Sequence, residues 1–372
     1  MKKLLFGLVI VVATSCTKET KTYKGLPVLK TNKNAVDVQF NSNWYKGAWG
    51  IKSNEQKDTL RVSCLNAKEP VAFASEIDSI SFLVESNKTY EFYAQFQDSI
   101  YSHMLIIAEA YPKEKIAFET SKNTPNLQIQ YTANNDVPFL KSLAEKYPIA
   151  EALANKTTDV NKILSVLNWT NNRWQHNGNV SPSKPDAITI LDEAKEGKNF
   201  PCFAYAVVLK SQLENAGFKS RTIYLKTKDV ETRKGSPGHV ATEVYSPELK
   251  KWIFIDGQFN IMPVLNGNPL NAVELQEAIT NNYEALVMKS LAEVSKREYV
   301  DFVYDYLYHF DVSLDQRYLE NTDLKKHEFS GKSSLMLVPS GSKNPTKINF
   351  WNMTLDDYFY TNSLEDFYAK PV

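Results

Sequence analysis

Between Lys198 and Asp256 the sequence passes from a helical pattern to strand patterns and places a reactive side chain at each change. Pro201 suits the first turn of a helix, where its missing N–H has no partner to lose. Asn199 or Phe200 then reads as the cap, and Cys202 falls in the first turn. Ala206, Val207, Leu209 and Leu213 continue the helix until Gly217 stops it. A strand over Arg221–Thr227 follows, then a loop. The strand Gly238-His239-Val240-Ala241-Thr242-Glu243-Val244 comes next, and Lys251-Trp252-Ile253-Phe254-Ile255-Asp256 closes the segment.

A helix start offers free N–H groups and the positive end of the helix dipole, which favour an anion. A thiolate at Cys202 would gain from both and attack better at neutral pH. Taken alone, Cys202 reads more readily as a small buried residue at a helix start. The next two strands add to it. With Ser246-Pro247-Glu248-Leu249 as the turn, Tyr245 faces Lys250, and counting back sets His239 directly opposite Asp256. Opposed residues have Cβ atoms about 5 Å apart, close enough for a carboxylate to orient an imidazole. A slip of one residue would put them on opposite faces.

These elements resemble the transglutaminase-like superfamily of papain-type cysteine enzymes over about residues 160–262. The resemblance rests on Cys202 before an Ala-rich helix (Ala204, Ala206), Gly217-Phe218, the Arg221 strand, His239 with Glu243-Val244, and Trp252 with Asp256. The helix containing Trp169 to Gln175 resembles the family's lead-in helix. The resemblance implies an α+β papain-type core and a catalytic set of Cys202, His239 and Asp256. It also implies thiol attack on a peptide or carboxamide carbonyl. Release by water gives a peptidase or amidase, the favoured expectation; release by an amine gives a crosslinking transglutaminase. A non-catalytic surface-binding lipoprotein on the same fold is the third reading. The lead-in Asn199-Phe200-Pro201 departs from the family's usual Gly-Asp or Gly-x-Cys, so the oxyanion donors are open: the Cys202 backbone N–H, then the Trp174 indole or the Gln175 amide. His176 reads as a solvated helix-end residue, and His103, His309 and His327 have no partner pattern.

The rest of the chain frames this core. Lys2 and Lys3, the apolar run Leu4–Val12 and Ala13-Thr14-Ser15-Cys16 resemble a bacterial lipoprotein signal, with Cys16 lipidated and residues 17–26 a tether. The expected location is the cell envelope, anchored to a bacterial membrane, the outer membrane for preference. Residues 27–118 alternate in short runs separated by turns and read as a β-sandwich. Within them, Glu76 to Ile80, Tyr90-Glu91-Phe92 and Asp98-Ser99-Ile100 resemble a small β domain of exported Bacteroidota proteins. Residues 119–265 form the core, and 266–372 a helix (Ala272 to Ser295) followed by an aromatic β extension. The chain balances 43 basic against 43 acidic residues, with no basic stripe for nucleic acid. Its expected partners are a peptide or protein substrate and, through Cys16, a membrane. No cofactor or metal is expected: there is no CxxC, no His/Cys cluster and no calcium-loop spacing. Cys64 alternates with polar neighbours and reads as a buried thiol; a disulfide to Cys202 is the other possibility.

Overall fold

The computed structural model describes residues 21–52, 57–132, 137–318 and 325–371. The signal-like segment, Cys16 and the first part of the tether lie outside them. The chain divides into two compact units, residues 1–111 and 112–372.

Among the described residues the first unit has nine strands: β1 (Thr22–Tyr23), β2 (Leu26–Thr31), β3 (Ala35–Phe40), β4 (Asn43–Gly50), β5 (Lys57–Cys64), β6 (Lys68–Ala74), β7 (Ser79–Glu85), β8 (Thr89–Phe96) and β9 (Ile100–Ala110). They form a five-stranded sheet, β1-β2-β8-β9-β5, and a four-stranded sheet, β4-β3-β6-β7. Period-two alternation sends Met104, Ile106 and Ala108 of β9 inward against Val36, Val38, Phe73 and Phe92. Cys64 belongs to this core and forms no disulfide with Cys202. Thr22 and Tyr23 pair with Pro27 and Leu26, so this part of the expected tether is strand.

The second unit is α+β. Its first elements are helices α1 (Pro138–Lys146), α2 (Ala150–Leu153), α3 (Asp159–Asn171), α4 (Ala187–Lys195) and α5 (Cys202–Asn215). Thr158 caps α3 by accepting from the Asn161 N–H, and Asp186 caps α4 through the Thr189 N–H. Strands β10 (Lys219–Lys226), β11 (Gly238–Ser246), β12 (Lys251–Ile255), β13 (Met262–Leu265) and β14 (Asn268–Pro269) follow. Then come α6 (Ala272–Asn282), β15 (Leu286–Lys289), α7 (Lys296–Val303), a 3-10 turn at Tyr304–Tyr306, β16 (His309–Ser313) and β17 (Ser334–Leu337). Strands β18 (Lys347–Ile348), β19 (Met353–Thr354) and β20 (Tyr358–Thr361) and helix α8 (Leu364–Phe367) end the chain.

Two expectations about residues 266–372 need correction. The helix beginning at Ala272 stops at Asn282, and Leu286 and Met288 are inward residues of a strand. The run Tyr299–Phe310, read from its β-forming side chains as strand, is helical to Val303, turns at Tyr304–Tyr306 and becomes strand only at His309. Ser295 accepts from the Glu298 N–H and starts α7, which outweighs the intrinsic preference of Tyr299, Val300 and Val303.

The main sheet runs β12-β11-β10-β16-β17-β20, antiparallel except for β17 beside β20. Helix α5 lies on one face: Thr242 donates to the Ala206 carbonyl and Ser220 to the Lys210 carbonyl. Leu209 and Leu213 pack there with Val244, Ile253 and Ile255 and with Ile163, Leu164 and Leu167 of α3. The helix is buried nearly all round, and its Lys210 and Glu214 are paired at 3.0 Å. On the opposite face Arg221 and Glu243, both fully buried, pair at 2.7 Å. Arg221 also stacks on Trp252 and Phe367, and Tyr368 donates to Glu243. The charged pair keeps its hydrogen bonds where water cannot reach it.

Candidate active site

Helix α5 begins at Cys202, with Pro201 rather than Asn199 or Phe200 as its cap. The reason is upstream: Phe200 is fully buried, bridges to His176 and accepts from the Asn177 N–H, which holds residues 199–201 extended. Cys202 is therefore the first helical residue and is part-exposed, with a free thiol. At the other end Gly217, at φ 90°, ends α5 by letting the Phe218 N–H reach the Leu213 carbonyl.

The β11–β12 register differs from the one expected. Ser246 pairs with Lys251 and Thr242 with Ile255, because Lys250, at φ 53°, belongs to the turn. Asp256 is thus diagonal to His239, not opposite it. The shift is an even number of residues, so both stay on one face. The ladder also stops at Thr242, leaving β11 unpaired on the β12 side at His239.

The side chains complete the arrangement. His239 Nε2 donates to Asp256 Oδ2 at 2.7 Å, with both groups buried. That bond fixes the tautomer and leaves Nδ1 available, and Cys202 lies close enough for its charge to act on the ring. Burial works to lower the His239 pKa, but the Asp256 charge, the bond to Asp256 and the nearby Cys202 overcome it and hold the ring up at about 10.

Asp256 is itself held from several sides. Its Oδ1 accepts from the N–H groups of Gln258, at 3.0 Å, and Phe259, at 3.3 Å. The Tyr299 hydroxyl, from α7, donates to Oδ2 at 3.1 Å. Gly257 fits because a Cβ there would come within 3.0 Å of Tyr205 Cβ on α5. Phe302 stands edge-on to the His239 ring at 5.0 Å, with Phe259 and Tyr306 beyond it. Tyr299 and this aromatic shell were not foreseen from sequence; the Ser295-to-Glu298 capping pattern was the only local signal that α7 exists.

The other named residues fall as follows. Trp174 is buried against Phe200 and Tyr205, and its carbonyl accepts from the Tyr205 hydroxyl. Its indole N–H has no partner among the described residues. Gln175 is exposed, and its backbone N–H donates to Asn199. His176 lies near enough for the His239 charge to add to partial burial in lowering its pKa. His103 pairs with Glu91 in the first unit. His309 is buried, and burial beside Lys226 lowers it to about 4. The chemistry this arrangement can perform is proton removal from a thiol by an imidazole whose far side is fixed by a carboxylate. Among the described residues no group of three or more His, Cys, Asp or Glu could hold a metal ion.

Residues 147–257 match the family model of the transglutaminase-like superfamily, and this segment is a transglutaminase-like domain. No curated protein matches the chain. Among solved structures, a candidate cysteine protease from Cytophaga hutchinsonii is 14% identical at a TM-score of 0.27, over 45% of this chain and 56% of its own. Red sea bream transglutaminase is 10% identical at a TM-score of 0.26, over 67% of this chain and 55% of its own. A further structure, described as a TGase, is 10% identical at a TM-score of 0.24, over 55% of this chain and 73% of its own. The chain thus spans little more than half the length of the first two.

Proposed function

We propose that this protein is a cysteine-dependent acyl-transfer enzyme that hydrolyses peptide or carboxamide bonds. The observation that carries the reading is His239, bonded to a buried carboxylate and close enough to the helix-start thiol to feel its charge. In this reading Nδ1 takes the Cys202 proton and sulfur attacks the carbonyl carbon, forming a tetrahedral oxyanion. The backbone N–H of Cys202 and the unpartnered indole N–H of Trp174 are the proposed donors to it. His239 then protonates the leaving amine, giving a thioester on Cys202. Water, deprotonated by His239, attacks the thioester, and the thiol leaves with a proton. Asp256 keeps the ring in one tautomer throughout.

The test is release of amine from peptide carboxamides by wild type and Cys202→Ala. Wild type should turn over and the variant should not; equal activity sinks the reading. Running the same reaction with a primary amine separates hydrolysis from crosslinking. We also propose that Cys16 is lipidated in the cell envelope. Mass analysis of the membrane-extracted protein would show a diacylglyceryl or triacyl adduct on Cys16; an unmodified or differently processed N-terminus would reject it.

A further inference from the structure

The sheet face that carries α5 is covered along most of its length and opens beside Cys202. Gly238, Val240, Thr242 and Val244 alternate onto this face of β11, and Tyr224 of β10 pairs with Val240 there. Thr242 is sealed beneath α5 at Ala206. One helical turn back from Ala206 is Cys202; two residues back along the strand is Val240. An α-helical turn and two strand residues each span about 6 Å, so Cys202 stands level with Val240 and Tyr224. At this level the cover stops: Val240 is part-exposed and Tyr224 is 39% exposed. The far wall is Trp351. A Cβ on Gly238 would lie 3.2 Å from its indole, so the ring rests on the same face, immediately before His239. Trp351 is 49% exposed and Phe350 beside it is 46% exposed. Asn349 fixes this turn, its N–H donating to the Val230 carbonyl and its amide to the Arg233 carbonyl.

We infer that the gap between the start of α5 and Trp351, floored by Tyr224 and Val240, is a subsite for an aromatic or large aliphatic side chain of the peptide substrate. This rests on the acyl-transfer reading above and names the substrate class for that site. A side chain entering the gap from a carbonyl held at Cys202 would lie flat on Tyr224 with its edge toward Trp351. Exposed aromatic faces on both sides gain apolar contact and ring–ring interaction from such a group. A charged side chain would lose hydration there, and the charges beside Tyr224, Lys226 and Asp311, are already paired with each other. The charge of Cys202 also acts on the Tyr224 hydroxyl, consistent with their being neighbours.

Two peptidyl vinyl sulfones test this, identical except for Phe or Gly at the residue bearing the reactive group. In each, the Cys202 thiolate adds to the alkene carbon β to the sulfone, next to the Cα of that residue, and the resulting α-sulfonyl carbanion takes a proton. Labelling rates are read by mass spectrometry and divided by the iodoacetamide rate of the same sample. Half-burying a Phe ring corresponds to about tenfold, so the Phe probe should label wild type about tenfold faster than the Gly probe. Trp351→Ala and Tyr224→Ala should each lower that ratio severalfold, while Trp351→Phe keeps most of it. A Phe-to-Gly ratio near one in wild type, or a ratio untouched by both alanine variants, overturns the subsite while leaving the nucleophile intact. Modification of another residue in place of Cys202 by both reagents overturns the acyl-transfer reading itself, and the subsite with it.

Discussion

His239 and Asp256 meet through a 2.7 Å hydrogen bond although they are diagonal, not opposed, across the β11–β12 pair. What brings Asp256 into place is the turn after it. The Gln258 and Phe259 N–H groups hold one carboxylate oxygen, and the Tyr299 hydroxyl shares the other with the histidine. A carboxylate held this way has little freedom to rotate away from the ring.

Tyr299 therefore acts as a positioning residue. Tyr299→Phe removes one donor and keeps the ring's packing. A hydrogen bond to a charged group is worth about 1.5–3 kcal/mol, and only part of this bears on the orientation of His239. The expected result is a roughly tenfold fall in kcat with little change in KM. Asp256→Asn should cost far more, roughly 10⁴-fold by analogy with other triads. A Tyr299→Phe enzyme with wild-type kcat would show that the two N–H bonds suffice.

The histidine gives stability a pH dependence of definite sign. Its pKa is raised from an ordinary 6.5 to about 10 on folding. The folded state thus binds this proton more tightly than the unfolded state does. The stabilisation is fully present below about 6.5, declines as pH rises, and is lost once pH passes about 10. Thermal melts of wild type and His239→Gln across that window should show the wild-type advantage shrinking toward alkaline pH. A difference that stays constant, or grows with pH, contradicts this.

Gly257 tests the packing that sets the loop against the helix. A methyl there meets Tyr205 Cβ at 3.0 Å and Leu209 at 3.4 Å, on two side chains of a buried helix. Overpacking of this kind costs about 1–3 kcal/mol. Gly257→Ala should lower the melting temperature and, by shifting the turn that carries Asp256, lower kcat as well. An alanine variant with wild-type stability would mean that the loop gives way freely.

What the sequence showed and what it hid follow from how local each signal is. Cys202, His239 and Asp256 each sit at a change of pattern, and the even-numbered register shift preserved the inference that His239 and Asp256 share a face. The shift itself came from Lys250, whose left-handed backbone has no mark in the residue type. Tyr299 was hidden because its link to Asp256 joins elements 43 residues apart, and because its segment is rich in β-forming side chains. Trp351 lies in a turn without periodicity, so only the fold shows that it rests on Gly238. Arg221, Glu243 and Trp252 were legible as a recurring set, but not as one buried stack.

The central claim is that Cys202 carries the acyl group. Mixing excess activated peptide ester with the enzyme and quenching early in acid should trap a thioester, read by intact mass. The account predicts a burst approaching one equivalent, an adduct mapping to Cys202, no adduct in Cys202→Ala, and a much slower burst in His239→Gln. An adduct on another residue, or the same burst without the Cys202 thiol, would contradict it.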